Sequence, residues 1–527
     1  METLSCDCLV VGAGPAGLAA ALGIRLLAPE LSVWVLEKGS RVGAHILAGA
    51  MVDPSLLDTA LPDWRNRPSC PVGPAVIGET LHHLTPNHAF PLPIPRIWSP
   101  SGHLLLPNPG AFCRWLAAWV EEAGGVILPK TTAMALQYQG ERVVGVRTGD
   151  FGRDRHGQPG PRFQPGFDIQ ARITLLAEGC RGFLTTRHLQ RFPHLNGRGE
   201  PTHSLGFREV WQLPEAGQPG RIRHTVGWPL TGLAHGGGFL YQLDTHRVAL
   251  GLVVALDYRS ANLFPFGLFE AWKHHPLLRQ RLQGGRRLSY GARTIQAGGF
   301  SSLPRCVSDG VLLLGDAAGL LDTARLQGIA PALSSGTLAA PLVVAACRND
   351  DTSASGPLGQ FADSLANSET GQRLRAVRNV RPGFRAGLLP GLLNAALEAV
   401  SGGAVPWTLR LRQNDAARLH PLSEPAFTPV ADQRTDSLVF SGLRYREEQP
   451  SPVSYVGGGA TERTGQRYGF PERLYCPAAV FRSEEPGTEP RIQPRQCLHC
   501  RSCAIKDPLG HLLWQPPEGG DGPDYAL

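Results

Sequence analysis

No dense run of lysine and arginine occurs in the 527 residues, and 51 basic against 44 acidic side chains leave a net charge of only +7. A chain that gripped nucleic acid would need a basic face, so nucleic acid is not an expected partner. No run of 18 or more apolar residues occurs either, which leaves no sequence signal for a bilayer-spanning helix. The first strand starts within about seven residues of Met1, too early for a signal or transit peptide, so the chain is expected on the side of the membrane where it is made. Disulfide staples are not expected. Eleven cysteines is an odd number, and Cys6, Cys8, Cys70, Cys113, Cys180, Cys306 and Cys347 are scattered in apolar or glycine-rich surroundings that suit reduced thiols. What is abundant is apolar residue, 42% of the chain, enough for about two to four domain cores.

The strand-like run Asp7–Val11 feeds Gly12-Ala-Gly14-Pro-Ala-Gly17 and an alanine-rich helix. This G-x-G-x-x-G spacing brings backbone N–H groups and the positive end of a helix against a pyrophosphate. Gly12 permits the tight turn, Gly14 admits the phosphates and Gly17 lets helix and strand pack closely. A second strand, Ser32–Leu36, ends in Glu37, an acid 20 residues after Gly17 and placed to bond ribose hydroxyls. The loop leaving it, Lys38 to Ala50, is spaced by Gly39, Gly43 and Gly49 and is suited to pass close beneath a cofactor.

Residues 86–107 are dense in proline and carry Phe90, Leu92, Ile94, Ile97, Trp98 and Leu104 to Leu106, which predicts a hairpin or extended excursion showing apolar surface. Asn108-Pro109 predicts a helix start, with Phe112, Trp115, Leu116, Trp119 and Val120 on its core face. Asp150 to Pro165 is expected as an exposed loop. Ile173 to Leu176 reads as a strand entering a turn at Gly179, and Val311 to Leu314 as another entering Gly315-Asp316. A carboxylate there suits a ribityl chain, while N–H groups near Gly328 and Ile329, at the start of an apolar helix, suit a flavin pyrimidine. This combination turns the reading from NAD to FAD.

Residues 200–290 read as an inserted antiparallel sheet over one flavin face, with Gly236-Gly237-Gly238 either a close-approach site or a flexible turn. The pairs His82-His83 and His274-His275 lack metal-like context. Residues 387–400 are apolar, interrupted by Pro390 and too short to span; they fit a buried helix or one lying in a membrane interface, with Arg381, Arg385, Arg410, Arg412 and Trp407 near by.

The C-terminal hundred residues are poor in long apolar periods, which predicts a metal cluster as their organiser. Cys497-x2-Cys500-x2-Cys503-x3-Asp507-Pro508 resembles the bacterial ferredoxin run with aspartate in place of the last cysteine. One cluster is therefore expected, with a distant fourth ligand that Cys476-Pro477 can supply. A structural zinc is the alternative for any four cysteines, but the tight triplet favours a cubane.

These residues together resemble the electron transfer flavoprotein:ubiquinone oxidoreductases. The likeness runs nearly end to end: Val11 to Leu18, Glu37 to Ala50, Leu61 to Trp64, Cys113-Arg114-Trp115-Leu116, Phe163 to Gly166, Ala177 to Gly182, His224 to Leu230, Ser289 to Arg293, Arg378 to Pro382, Pro406 to Leu409, Tyr475 to Ala478 and Ile505 to Pro508. One departure stands out. The family has Gly-Cys-Ser-Ala-Gly where this chain has Gly315-Asp-Ala-Ala-Gly319, as in other flavoproteins.

The resemblance implies an α/β fold: an FAD-binding Rossmann-like, glutathione-reductase-type domain, an inserted antiparallel β-sheet quinone domain and a C-terminal ferredoxin-like 4Fe-4S domain. The expected partition is FAD domain at 1–85, 108–190 and 290–345, a membrane-facing hairpin at 86–107, the ubiquinone-binding domain at 191–289, a helical membrane-facing segment at 346–415 and the cluster domain at 416–527. It implies that FAD is bound by Gly12, Gly14, Gly17, Glu37, Lys38, Gly43, Arg114, Gly179, Gly315, Asp316, Gly328 and Ile329, that ubiquinone meets Gly236 and Gly237, and that one 4Fe-4S cluster sits on Cys476, Cys497, Cys500 and Cys503. The implied partners are electron transfer flavoprotein, ubiquinone and a lipid surface. A monomer is expected, monotopic on the cytoplasmic face of a bacterial inner membrane, or on the matrix side if eukaryotic. A prenyl or isoprenoid reductase fed by its own cluster and a zinc-bound interaction module on an inactive flavin fold are the alternatives.

Overall fold

The structure, a computed structural model, describes residues 3–47, 50–94, 102–325, 327–422, 432–483 and 488–525. Thr3–Val11, buried and apolar from Cys8 onward, lies between two parallel neighbours, Asp168–Leu176 and Val33–Glu37, with Val10 opposite both Leu175 and Val35. Val126–Pro129 extends this sheet beyond Val33–Glu37, and Val311–Leu313 and Val307–Ser308 extend the other edge. The hairpin Ala133–Gln139 and Arg142–Thr148 joins it at Asp168–Gln170. Helix Pro15–Leu27 packs against Ile329–Arg348, and the approach is close: a Cβ on Gly336 would stand 2.3 Å from the Ala16 carbonyl. The Ile329–Arg348 helix is long and apolar enough to cross a membrane, but it is 67% buried here as a core element. The predicted helix at Asn108 is Pro109–Glu122, capped by Asn108 Oδ1 on the Ala111 N–H at 2.9 Å, with Phe112, Leu116, Trp119 and Val120 buried.

A second, seven-stranded sheet runs in the order Arg286–Gln296, His203–Gln212, Arg247–Ala255, Gly236–Gln242, Arg221–Gly227, Gly78–Leu84, Ala89–Leu92. Its pairs are antiparallel except one, in which Gly78–Leu84 adds in parallel to Arg221–Gly227. This strand brings a piece of chain from before residue 86 into the inserted sheet. Helix Pro265–His274 covers one face, where Phe269 stacks on Phe207 and Trp272 Nε1 donates to Thr225 Oγ1 at 2.9 Å. The other face, with Val210, Ile222, Phe239 and Tyr241, packs under Met51, Val76 and Leu105.

Several expectations change. Asp150 to Pro165 is not a plain loop: Phe151–Arg153 and Pro159–Gln164 form an antiparallel ribbon, because a glycine- and proline-rich tip reads the same on a hairpin as on a coil. Leu105 and Leu106 are buried, since Leu104–Leu106 pairs with Ala50–Val52 under the second sheet; Phe90 is exposed as expected, and Ile97 and Trp98 lie outside the described residues. Gly236 to Gly238 are not a flexible turn but the first residues of a strand, opposite Val254, Val253 and Leu252. The C-terminal region holds more apolar packing than its sequence suggests, for Tyr475, Phe481, Leu498 and Trp514 join the main core. It is also pinned from outside: Tyr290 Oη donates to the Pro477 carbonyl at 2.8 Å and the Gly520 N–H to the Lys38 carbonyl at 2.8 Å.

Candidate functional site

The glycine turn is shaped by contacts that only hydrogen side chains allow. Gly12 has φ +109° and its Cβ would fall 2.4 Å from the Ala177 carbonyl; a Cβ on Gly17 would fall 2.2 Å from the Gly12 carbonyl. Gly14 is different, since a Cβ there would meet nothing within 4 Å, and it opens onto a cavity of about 310 Å³. Glu37 stands on the same wall, its Oε1 accepting the Gly39 N–H at 2.7 Å and its Oε2 the Ala13 N–H at 3.3 Å. Lys38, Gly43 and Gly179 also line the cavity. Burial, with Arg293 and Arg501 near by, pulls the Lys38 ammonium down to about 7.

Asp316, Gly328 and Ile329 line the far side. The Asp316 Oδ1 atom is buried without a protein partner, and burial pushes its carboxyl up to about 6 against the pull of Arg293. An orphaned carboxyl oxygen on a cavity wall fits a hydroxyl-rich chain, and an open cradle at Gly14 fits a pyrophosphate, so the residues present suit FAD. Gly17 and Gly315 support the turns without forming the wall: the Gly315 N–H donates to Ser335 Oγ at 3.0 Å. Arg114 also stands off the wall, with a buried Nη1 that has no protein partner.

Cys476 ends the short helix Glu472–Tyr475, Cys497 and Cys500 precede Ser502–Lys506, and Cys503 lies within it; all four are buried. Burial first, and then one another's charge, push Cys476 up to about 11 and Cys497 to about 12, and hold Cys503 well above the usual thiol value. Such thiols shed their protons when a cationic centre is placed among them. Four cysteine thiols, three of them at two-residue spacings in one loop, are the donor set that suits an iron–sulfur cluster. Asp507 is occupied elsewhere, accepting N–H groups from Gly510 at 2.9 Å and Leu512 at 2.8 Å and pairing with His511 Nδ1 at 2.7 Å.

The two sites meet. His499, Cys500 and Arg501 form part of the cavity that Gly14 and Glu37 line, and Thr294 Oγ1 holds the Cys500 carbonyl at 2.5 Å. On the second sheet the wall is Phe239, Tyr241 and Val253; Gly236 and Gly237 sit at the start of the same strand, short of it. Sequence reasoning missed Arg293, Arg208 and Tyr241 as wall residues. Arg293 ends the Ser289–Arg293 likeness without a role attached, and no local signal marked the others.

Residues 203–295 match the family model described as ETF-QO, ubiquinone-binding, and 430–526 match that described as electron transfer flavoprotein-ubiquinone oxidoreductase, 4Fe-4S. The mitochondrial electron transfer flavoprotein-ubiquinone oxidoreductase of Arabidopsis thaliana is 38% identical over 100% of this chain and 85% of its own. That of Homo sapiens is 34% identical over 98% of this chain and 88% of its own. Among solved structures, a geranylgeranyl bacteriochlorophyll reductase-like protein of Thermoplasma acidophilum superposes with TM-score 0.58, at 19% identity over 77% of this chain and 93% of that one. A flavoprotein/dehydrogenase of Cytophaga hutchinsonii gives 0.51 at 17% identity over 75% and 92%. At such identities these two structures speak for the fold alone. The full-length relatives and the two family models carry the assignment: the chain belongs to the electron transfer flavoprotein-ubiquinone oxidoreductase family.

Proposed function

We propose that the protein passes electrons from reduced electron transfer flavoprotein to ubiquinone, with Cys476, Cys497, Cys500 and Cys503 as the four ligands of a 4Fe-4S cluster and the Gly14–Asp316 cavity as the FAD site. When bound, the cluster and the flavin store and relay the electrons; the chain's own residues hold, bury and tune them. The observation that carries the reading is the shared wall: His499, Cys500 and Arg501 border the cavity that Glu37 and Asp316 line. Gly12, Gly14 and Gly17 seat the pyrophosphate, Glu37 bonds ribose, Asp316 bonds the ribityl chain, and N–H groups at Gly328 and Ile329 face the flavin ring. Gly236 and Gly237 take the quinone. Quinone-dependent oxidation of reduced electron transfer flavoprotein by the purified protein tests this; an iron- and flavin-loaded protein that reduces no quinone would overturn it.

Docking on a lipid surface is supported by helix Leu388–Ser401, on which Leu389, Leu393 and Val400 are 74%, 73% and 89% exposed. Its one acid, Glu398, is turned inward onto the Asn379 N–H at 3.0 Å, so the outward face is free of charge. Trp407 is exposed beyond its end, and Arg410 and Arg412 follow. A monotopic monomer on the cytoplasmic or matrix face fits this arrangement.

A further inference from the structure

Reduction of a quinone to a quinol takes up two protons, and the glycines Gly236 and Gly237 have no side chain to give one. The second sheet supplies candidates. Ile222 lies opposite Tyr241 on one side and Glu79 on the other, which sets Glu79, Ile222 and Tyr241 on one sheet face. His224, two residues on, shares that face; its Nε2 is 3.3 Å from Glu79 Oε1 and its ring packs T-shaped with that of Tyr241, centroids 5.7 Å apart. Tyr241 in turn forms part of the cavity wall, on the strand that Gly236 begins. Glu79 is 12% exposed at the outer end of this row, and its Oε2 is buried without a protein partner.

We propose that Glu79, His224 and Tyr241 form a relay delivering one of the two quinol protons, a reading that rests on the quinone lying along the Gly236–Gln242 strand. The two electrons come from the flavin, as the proposed function supplies them. The Tyr241 hydroxyl proton goes to a quinone oxygen, a ring proton of His224 restores the hydroxyl, the Glu79 carboxyl proton restores the imidazole, and solvent reprotonates Glu79. The proton thus enters at the strand end opposite the glycines.

The surroundings suit this. Burial alone pushes the Glu79 carboxyl up to about 7 and the His224 imidazole down to about 4, so between those values the pair is neutral, with its proton on the acid. Tyr241 and, further along Gly78–Leu84, His83 share this face near Glu79, and the cations Arg208 and Arg293 stand on the same face across the sheet, toward the cavity. Met51, Val76 and Leu105 cover it without charge, Phe90 and Leu92 flank it, and Arg221 and Arg223 stand on the opposite face of their strand.

The test compares E79Q, H224N and Y241F with the parent protein, each checked for full flavin content. Two acceptors are used, a short-chain ubiquinone and ferricenium, which accepts electrons without protons. Parent quinone reduction should fall as pH rises through about 7. Each variant should lower the quinone-to-ferricenium rate ratio about tenfold, and E79Q should lose that pH limb. Infrared difference spectra near pH 6 should show a protonated carboxyl band that E79Q lacks. An unchanged ratio and pH limb in E79Q would overturn the relay. A fourth variant, G237L, separates the underlying reading: a raised quinone KM there with an unaltered E79Q sinks the relay alone, and an unchanged KM sinks the quinone site and the relay together.

Discussion

Ser502 Oγ lies 3.3 Å from Cys500 Sγ, a hydroxyl set against one of the four thiols. As a donor to thiolate sulfur it favours the more negative, reduced state of a bound cluster. Ser502→Ala should therefore make the cluster potential more negative by about 40 mV, the one-electron equivalent of one hydrogen bond at roughly 1 kcal/mol. A redox titration followed by EPR reads this, and a potential unmoved or raised would remove Ser502 from the tuning set.

Glu37 offers a carboxylate already aligned by the Ala13 and Gly39 N–H groups, so its orientation does not depend on ligand. Glu37→Ala should cost FAD binding roughly 1.5–3 kcal/mol, the worth of hydrogen bonds to a charged acceptor. Flavin titration of the apoprotein measures it, and unchanged affinity would count against the ribose role.

Leu392 and Leu393 are 41% and 73% exposed on Leu388–Ser401. Leu392→Asp with Leu393→Asp should release the protein from anionic liposomes while flavin content and thermal midpoint stay near the parent values. Simultaneous unfolding and flavin loss would show that the helix serves the fold rather than a membrane.

Much of this was legible in the sequence where the constraint is local. The Gly12–Gly17 turn and Glu37 follow from steric and hydrogen-bonding needs within one βαβ unit, and the Cys497–Cys503 spacing from the geometry of one loop. What was not legible depends on distant pairing. Nothing near Gly78–Leu84 announces that it will join Arg221–Gly227 in parallel, and without that register Glu79 and His224 cannot be seen as neighbours. Arg293 and Tyr241 reach the cavity for the same reason, since which face of a strand meets the wall is set by its partners.

His511 gives the cluster region a pH dependence. Burial disfavours its charge, but Asp507 at 2.7 Å and Glu472 at 3.2 Å outweigh burial and lift it to about 9. The folded chain holds this proton more tightly than the unfolded one. The resulting stability, on the order of 3 kcal/mol, is complete below pH about 6.5 and is lost as pH rises through about 9. Thermal unfolding followed at the cluster absorbance should show that loss between those limits, and His511→Gln should flatten it.

The proposed cluster ligands give the sharpest test. Cys497, Cys500 and Cys503 share one short loop, and Cys476 belongs to a segment held separately by Arg434, whose Nη1 donates to the Cys476 carbonyl at 2.7 Å. Binding all four thiols fastens these segments together, so loss of one should damage both the redox centre and the local packing. Replacing any of the four with alanine should abolish the reduced-cluster EPR signal and quinone reduction from electron transfer flavoprotein. Flavin should remain, because Gly12, Gly14, Glu37 and Asp316 lie on other elements and only the His499–Arg501 part of the wall is disturbed. Cys6→Ala and Cys347→Ala, in the flavin domain, should keep the signal. So should Asp507→Asn, which removes no cluster ligand and keeps one acceptor oxygen for the Gly510 or the Leu512 N–H group. A Cys476→Ala protein that keeps four irons and an ordinary signal would sink the ligand assignment, and a parent protein holding one zinc and no iron would sink the relay of electrons with it.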